Sequence, residues 1–177
     1  MEKRLDYITD LMALGPTANA RTIQRRQTAH RLAIAEAWQV KPGEKILEIG
    51  CGQGDLSAVL ADQVGSSGHV TGIDIASPDY GAPLTLGQAW NHLLAGPLGD
   101  RLTVHFNTNL SDDLGPIADQ HFDRVVLAHS LWYFASANAL ALLFKNMAAV
   151  CDHVDVAEWS MQPTALDQIG HLQAAMI

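Results

Sequence analysis

The segment 48–54, Glu-Ile-Gly-Cys-Gly-Gln-Gly, has the residue spacing with the clearest chemical use. Three glycines at alternate positions let a chain turn sharply and let its backbone approach a ligand closely. A short apolar run precedes the segment and a helical pattern follows it, so the unpaired N–H groups of a helix start face the same place. The pattern predicts a ligand site at the carboxyl end of a buried strand.

Asp74 closes a second apolar run, in Gly72-Ile73-Asp74-Ile75. A carboxylate there can accept hydrogen bonds from both hydroxyls of a ribose, in a nicotinamide cofactor or in another nucleoside. The glycine spacing differs from the Gly-x-Gly-x-x-Gly of dinucleotide sites, because the third glycine comes one residue early. No Gly-Lys-Ser/Thr follows, which excludes a P-loop. A glycine turn without a ligand, and an aspartate that only caps a turn, are the structural alternatives.

His129 follows another apolar run and begins a loop that contains Trp132, Tyr133 and Phe134. An imidazole near neutral pH can accept a proton from a hydroxyl or amine nucleophile. It can equally hydrogen-bond a cofactor or cap the next helix, and the aromatic residues can wall a pocket or pack in the core. Cys51 and Cys151 form no zinc-ligand spacing, so no metal is predicted.

Alternating strand and helix patterns position these residues. Strands are predicted over 46–49, 70–75, 102–106, 124–128 and 154–157, and helices over 55–64, 85–95, 137–150 and 164–176. Such alternation implies right-handed crossovers and a parallel sheet, so the predicted fold class is α/β, a doubly wound and mainly parallel sheet with flanking helices. Thr85 is the predicted N-cap of the second of these helices.

Residues 1–40 are predicted to be helical. Leu5, Ile8 and Met12 share one face of a first helix, which Gly15-Pro16 ends, and Thr17 is the predicted cap of a second helix that runs to about residue 39. The predicted apolar face of the second helix comprises Ala29, Leu32, Ala35 and Trp38, and its basic face Arg21, Arg25, Arg26 and Arg31. The basic face is either a solvated surface or an anion-binding stripe.

The pattern Glu-x-Gly-x-Gly-x-Gly, after a strand and before a helix, resembles the first motif of the Rossmann-like (class I) S-adenosylmethionine-dependent methyltransferases, small-molecule type. The resemblance covers about residues 40–160. It implies that the glycine loop passes under the methionine part of the cofactor, that Asp74 binds the ribose, and that Asn109 replaces an aspartate that reads the adenine amino group. The implied cofactor-binding residues are Glu48, Gly50, Cys51, Gly52, Gln53, Gly54, Asp74, Ile75, Asn109, Leu110 and His129.

The resemblance implies in-line methyl transfer from S-adenosylmethionine to a small-molecule acceptor, giving S-adenosylhomocysteine, with His129 as the catalytic candidate. It also implies a helical lid over residues 1–40 and a cofactor domain over 41–177. The loop after the fourth strand has no Asn/Asp-Pro-Pro-Tyr sequence, which argues against transfer to adenine amino groups or glutamine amides. It has no Pro-Cys sequence either, which argues against methylation of a cytosine carbon. The alternatives are a cofactor-binding protein without methyl transfer and a nicotinamide-dependent oxidoreductase, which the glycine spacing and Glu48 oppose.

The composition, 48% apolar and 17% charged over 177 residues, is typical of a soluble globular domain. A net charge of −8 repels phosphate backbones, so no nucleic-acid partner is predicted. Without a membrane-length apolar run or a signal-peptide pattern, we expect a cytoplasmic protein that does not bind membranes. The family's sixth and seventh strands have no room before Ile177, so the sequence is either part of a longer protein or a trimmed fold. We favour part of a longer protein, because 164–176 resembles the family's usual connecting helix. Without those strands the edge of the fifth strand can pair with another chain, as in a homodimer.

Overall fold

The computed structural model describes residues 2–160 and 162–175, which form a parallel sheet with helices on both faces. The strands in this part of the chain are β1 (Lys45–Ile49), β2 (His69–Ile73), β3 (Leu102–His105), β4 (Arg124–Ala128) and β5 (Val154–Ala157). All neighbouring pairs are parallel, in the order β3-β2-β1-β4-β5. The predicted α/β doubly wound fold is confirmed.

The helices in the described residues are α1 (Glu2–Leu11), α2 (Ala20–Ala37), α3 (Asp55–Val64), α4 (Leu86–Leu94), α5 (Ala137–Met147) and α6 (Ile169–Ala175). The first five divide between the two faces of the sheet. Buried residues of α1 to α4 share one apolar cluster that includes Ile8, Ala35, Leu60 and Trp90, whereas α5 packs Leu143 and Met147 into a second cluster. The N-terminal helices therefore share a core with the sheet.

Local sequence signals account for several helix ends. The helix α3 begins at Asp55, as predicted, and ends before Gly65, whose positive φ of 69° ends the helical path. The predicted cap of α4 is confirmed as a capping box, because Thr85 Oγ1 accepts the Gln88 N–H at 3.2 Å and Gln88 Oε1 accepts the Thr85 N–H at 3.0 Å.

The predicted start of α2 was wrong, and its predicted apolar face was wrong only at Ala29. The helix begins at Ala20 after Asn19, and Thr17 contributes only its carbonyl, which accepts the Ala20 N–H at 3.0 Å. Ala29 is exposed, whereas Thr28 and Ile34 are buried beside Ala35. Leu32 and Trp38 are partly buried against the same core, as predicted, so the buried face is wider than the predicted one, because α2 packs against both α1 and α3.

Other predicted elements end or begin elsewhere. β2 stops at Ile73, because the next residues turn around the Asp74 carboxylate, which accepts the Ala76 N–H at 2.9 Å. β3 stops at His105, and the chain turns at Asn107, whose φ is 52°. α5 stops at Met147, since a tighter turn follows in which the Val150 N–H bonds the Met147 carbonyl. The predicted helix 164–176 is a 3₁₀ turn at 166–168 followed by α6, and residue 176 lies outside the described residues.

Part of the predicted basic face of α2 pairs with acids on α1. Arg21 Nε lies 2.7 Å from Asp10 Oδ1, and Arg25 Nε lies 2.8 Å from Asp6 Oδ1. Solvent and salt screen exposed pairs of this kind, so they contribute little to stability. These two guanidinium groups therefore join two helices and are not an anion-binding stripe.

A buried arginine ties β4 to its surroundings. Arg124 forms ion pairs with Glu44, at 3.2 Å, and with Asp155 of β5, and its Nη1 donates to the Trp38 carbonyl at 3.0 Å.

In residues 2–160 and 162–175, no helix has the length and hydropathy needed to cross a membrane.

The centre of the sheet creates a crevice. β1 and β4 are neighbours, but the chain leaves β1 toward α3 on one face and leaves β4 toward α5 on the other. Loops that diverge in this way leave space at the carboxyl ends of the two strands.

Candidate active site

A cleft of about 520 Å³ lies at the carboxyl ends of β1, β2 and β4. Most of the predicted cofactor-binding residues line it, namely Gly50, Gly52, Asp74, Ile75, Asn109, Leu110 and His129. The volume falls within the range of small-molecule sites, about 300–1,000 Å³.

Two glycines of the loop after β1 differ in what surrounds them. A Cβ on Gly50 would lie 2.7 Å from the Ser130 Cβ, so close packing requires glycine there. A Cβ on Gly52 would meet no heavy atom within 4 Å, although this residue lines the cleft. Both have positive φ, 76° and 52°, and the conformation leaves space beside Gly52 for close approach of a ligand.

Asp74 fixes this loop. Its Oδ2 accepts the Gly52 N–H at 2.8 Å and its Oδ1 accepts the Ala76 N–H at 2.9 Å. An ionised carboxylate offers about four lone-pair sites, so each oxygen retains acceptor capacity after one backbone bond. The Gly52 carbonyl in turn accepts the Trp90 indole N–H at 2.9 Å, which anchors the loop to α4.

Glu48 lies beneath the loop and not on the cleft surface. It is 3% exposed, and its Oε2 accepts the Ser57 hydroxyl at 2.5 Å. Burial raises the pKa of the Glu48 carboxyl to about 8, although the Ser57 hydrogen bond opposes the rise. The side chain joins β1 to α3 as a largely protonated acid near neutral pH.

The other predicted loop residues also support the loop. Burial raises the pKa of the Cys51 thiol well above its ordinary value, so this cysteine is an unreactive packing residue. Gln53 donates to the Leu84 carbonyl at 3.0 Å, and Gly54 precedes α3 with a φ of 86°. Direct cofactor contact by these three residues and by Glu48 stays a prediction.

The turn after β3 contains an unsatisfied polar atom. Asn109 forms a local turn in which its Oδ1 accepts the Ser111 N–H at 3.1 Å and its Nδ2 donates to Asp112 at 2.9 Å. Leu110 is 2% exposed and lines the cleft beside them. Within the described residues the Ser111 hydroxyl is buried and has no hydrogen-bond partner, so it is available to a ligand.

His129 lies at the other end of the cleft, with both ring nitrogens directed at protein groups. Its Nε2 lies 2.8 Å from His30 Nε2 of α2, and its Nδ1 lies 3.6 Å from Glu158 Oε1, which follows β5. Burial lowers the pKa of His129, as do the charges of Arg31 and His30, against an opposing effect of Glu158. Because both ring nitrogens face protein groups, the predicted proton-transfer role of His129 stays a prediction.

The aromatic residues after His129 divide between cleft and surface. Tyr133 and Phe134 line the cleft, as does Tyr80, which follows β2. Trp132 is 59% exposed and donates its indole N–H to the His129 carbonyl at 3.2 Å. In the described part of the chain, no group of three or more His, Cys, Asp or Glu side chains is arranged to hold a metal.

Sequence reasoning missed Ser111, His30 and Glu158. Ser111 stands two residues beyond Asn109, and Glu158 directly follows β5, so a search of every strand end would have found both. His30 lies 99 residues before His129 in the chain, and no sequence signal connects them.

Comparison with known proteins agrees with this architecture. The sequence profile of a methyltransferase-domain family matches residues 40–78. The methyltransferase phomM' of Diaporthe leptostromiformis is 37% identical over 149 residues, covering 73% of this chain and 38% of that protein. The 2-phytyl-1,4-naphtoquinone methyltransferase of Synechococcus elongatus is 35% identical over 105 residues, covering 58% and 41%. The chain spans about two fifths of the length of these relatives.

Solved structures share the fold. The magnesium protoporphyrin IX methyltransferase of Synechocystis, with bound S-adenosylhomocysteine, has a TM-score of 0.58 at 20% identity, covering 99% of this chain and 73% of that one. An S-adenosylmethionine-dependent methyltransferase from Aquifex aeolicus has a TM-score of 0.59 at 16% identity, covering 97% and 86%.

The chain belongs to the class I S-adenosylmethionine-dependent methyltransferase family. The family match at 40–78 contains β1, the glycine loop, α3 and β2, which bring Gly52 and Asp74 together. The sequence resemblance to this family is therefore confirmed. The strands β1 and β2 of this chain build one end of the cleft.

Proposed function

We propose that the cleft binds S-adenosylmethionine and that the protein transfers the cofactor's methyl group to a small organic acceptor. The observation that carries the proposal is the meeting of Gly52 and Asp74 in a cleft between the diverging β1 and β4 loops. When bound, the cofactor supplies an activated methyl group on a positively charged sulfur.

The residues of the cleft fit the parts of this cofactor. The remaining acceptor capacity of Asp74 suits ribose hydroxyls, and the open space beside Gly52 suits a close backbone contact with the methionine part. Ile75 and Leu110 offer apolar surface for adenine, and the unpartnered Ser111 hydroxyl can donate to or accept from the ring edge. Asn109 retains the predicted adenine contact through the second lone pair of its carbonyl oxygen.

The acceptor is proposed to bind toward the β4 end, where Tyr133, Phe134 and His129 line the cleft. Alignment of the acceptor and exclusion of water are then the main contributions of the protein. Three relatives are named as 2-phytyl-1,4-naphthoquinone methyltransferases, which supports a small aromatic acceptor here. Residues 1–40 are proposed as a lid on the domain 41–177, because α2 reaches His129. A homodimer and a cytoplasmic location stay predictions from the sequence.

The first test is calorimetric titration with S-adenosylmethionine, S-adenosylhomocysteine and NAD. Micromolar binding of the first two without binding of NAD is the expected result. Binding of NAD alone would replace the proposal with an oxidoreductase. Incubation with methyl-labelled cofactor and reduced 1,4-naphthoquinone then separates methyl transfer from binding alone.

Two matched glycines test the location of the site. Gly52→Ala places a methyl group in the cleft, whereas Gly65→Ala places one in open space at the end of α3, away from the cleft lining. Both residues have positive φ, so each substitution strains the backbone, and more so at Gly65, whose φ of 69° and ψ of −168° are a combination that essentially only glycine adopts. We expect Gly52→Ala to weaken cofactor binding at least about tenfold and Gly65→Ala to leave it unchanged. Equal affinities would place the ligand elsewhere.

A further inference from the structure

His30 and His129 share an in-line hydrogen bond. Their Nε2 atoms are 2.8 Å apart, the ring centroids are 5.1 Å apart, and the planes differ by 20°. The centroid distance is close to the largest that such a nitrogen contact permits, so the rings meet edge to edge. A metal between the nitrogens would need about 2.0–2.1 Å to each, which this gap does not provide. The contact is one N–H donated to one lone pair.

Neighbouring groups hold the two rings in place. Trp159 lies over both, at centroid distances of 4.3 Å from His129 and 6.0 Å from His30. Glu158 is itself fixed, because its Oε2 accepts the Leu131 N–H at 3.0 Å and its Oε1 accepts the Trp159 N–H at 2.9 Å. The cluster therefore joins α2, the β4 loop and the segment after β5.

Glu158 sets the direction of the hydrogen bond. The buried His129 Nδ1 has no hydrogen-bond partner within the described residues, and the nearest carboxylate oxygen is 3.6 Å away. A carboxylate accepts only, so it favours a proton on Nδ1 over a lone pair there. His129 then presents a lone pair at Nε2, which accepts the Nε2–H of His30. His30 retains its lone pair on Nδ1.

We propose that His30, and not His129, is the proton acceptor of the methyl-transfer reaction, as the basic end of the chain Glu158–His129–His30. The inference rests on the proposed function. As the acceptor's nucleophilic atom bonds to the methyl carbon, the sulfur–methyl bond breaks and its electron pair stays on sulfur. His30 is not among the residues that line the cleft, so the reacting atom of the acceptor has to lie at the edge of the cleft where α2 meets His129. The proton leaving the acceptor then goes to His30 Nδ1 and on to water, since His30 is exposed. Glu158 and His129 are positioning residues.

Burial and nearby charges favour the neutral forms of His30 and His129, which can accept a proton. Partial burial of the ring and the charge of Arg31, the next residue on α2, lower the pKa of His30. Glu158 is the opposing negative group, on the segment after β5. A neutral His30 near pH 7 has the free lone pair that proton acceptance needs.

The first test is ¹⁵N NMR of the imidazole nitrogens, with His30→Gln and His129→Gln used for assignment. We expect His129 to carry its proton on Nδ1 and His30 on Nε2. On acidification the first proton of the pair should appear on His30 Nδ1. Glu158→Gln should move His129 toward the Nε2–H form, and His153, which contacts Asp155 outside the cluster, should keep its signals. A wild-type His129 protonated on Nε2 would overturn the proposal.

Kinetics with reduced 1,4-naphthoquinone give the second test. His30→Gln should lower kcat by about 10²-fold or more, with an unchanged affinity for S-adenosylhomocysteine. His92→Gln, an exposed histidine on α4, is the matched control and should keep the wild-type rate. An unchanged kcat in His30→Gln would overturn the proposal. A wild-type protein that fails to bind S-adenosylhomocysteine would instead overturn the proposed function, and the NMR result would still decide the direction of the chain.

Discussion

Glu48→Gln keeps the shape of a buried side chain and removes its ability to ionise. Burial raises the pKa of Glu48 from 4.5 to about 8 in the folded protein. Between these pH values the folded protein binds a proton that the unfolded chain has released. The free energy of unfolding therefore falls as the pH rises through this range, and the loss is complete above about pH 8.

The size of the effect follows from the two pKa values. Each pH unit between 4.5 and about 8 corresponds to about 1.36 kcal/mol, so the wild-type protein loses on the order of 5 kcal/mol from this group. The free energy of unfolding of a typical domain is only about 5–15 kcal/mol in total. The substituted glutamine has no charge to bury, and its amide oxygen can still accept the Ser57 hydroxyl, so this loss is absent in the variant.

Urea unfolding from about pH 5 to about pH 9 measures the difference directly. The variant should gain several kcal/mol on the wild-type protein between the two ends of the range. Glu36→Gln, at an exposed position on α2, controls for the loss of one carboxylate and should follow the wild-type curve. Parallel curves for Glu48→Gln and the wild-type protein would refute the reasoning, because they would mean that the buried carboxyl titrates alike in both states.

Three further substitutions test the cleft and the sheet. Asp74→Ala should weaken S-adenosylmethionine binding at least about tenfold by calorimetry, since it removes a charged acceptor and frees the Gly52 N–H; an unchanged affinity in a folded variant contradicts this. Ser111→Ala should raise the melting temperature of the free protein, because it removes an unsatisfied buried hydroxyl, and lower cofactor affinity; opposite signs would remove Ser111 from the site. Arg124→Met should lower the free energy of unfolding, measured with urea, by about 3–5 kcal/mol, because it leaves the carboxylates of Glu44 and Asp155 without their cation. A decrease below about 1 kcal/mol would mean that water reaches these carboxylates.

Elements with a strong local signal could be predicted closely. β4 and β5 have the predicted bounds, and α3 begins and ends at the predicted residues, because apolar runs meet glycine or polar turns there. The start of α2 lacked such a signal. Thr17 and Asn19 are both residues that favour a helix N-terminus, and tertiary packing decides which of them precedes the first turn.

The candidate site divides in the same way. Gly52 and Asp74 each follow a strand, and parallel pairing of β1 with β2 brings the two ends together, so the sequence could predict this half of the cleft. The sequence also assigned Glu48 to the cofactor. Its side chain accepts the Ser57 hydroxyl of α3 beneath the loop, and the assignment stays a prediction. The contact between His30 and His129 depends on how α2 packs against the sheet domain, which no local pattern specifies.

The two ends of the cleft therefore have separable tasks. At the β1–β2 end, backbone N–H groups and one carboxylate fix a loop whose open space determines whether a cofactor fits. At the β4–β5 end, a carboxylate and two imidazoles fix where a proton can go, and α2 supplies the last of them. The described hydrogen bonds of the two groups have no partner in common. Substitutions at Gly52 or Asp74 should consequently act on cofactor affinity, and those at His30 or Glu158 on the chemical step, because residues that share no partner usually act independently.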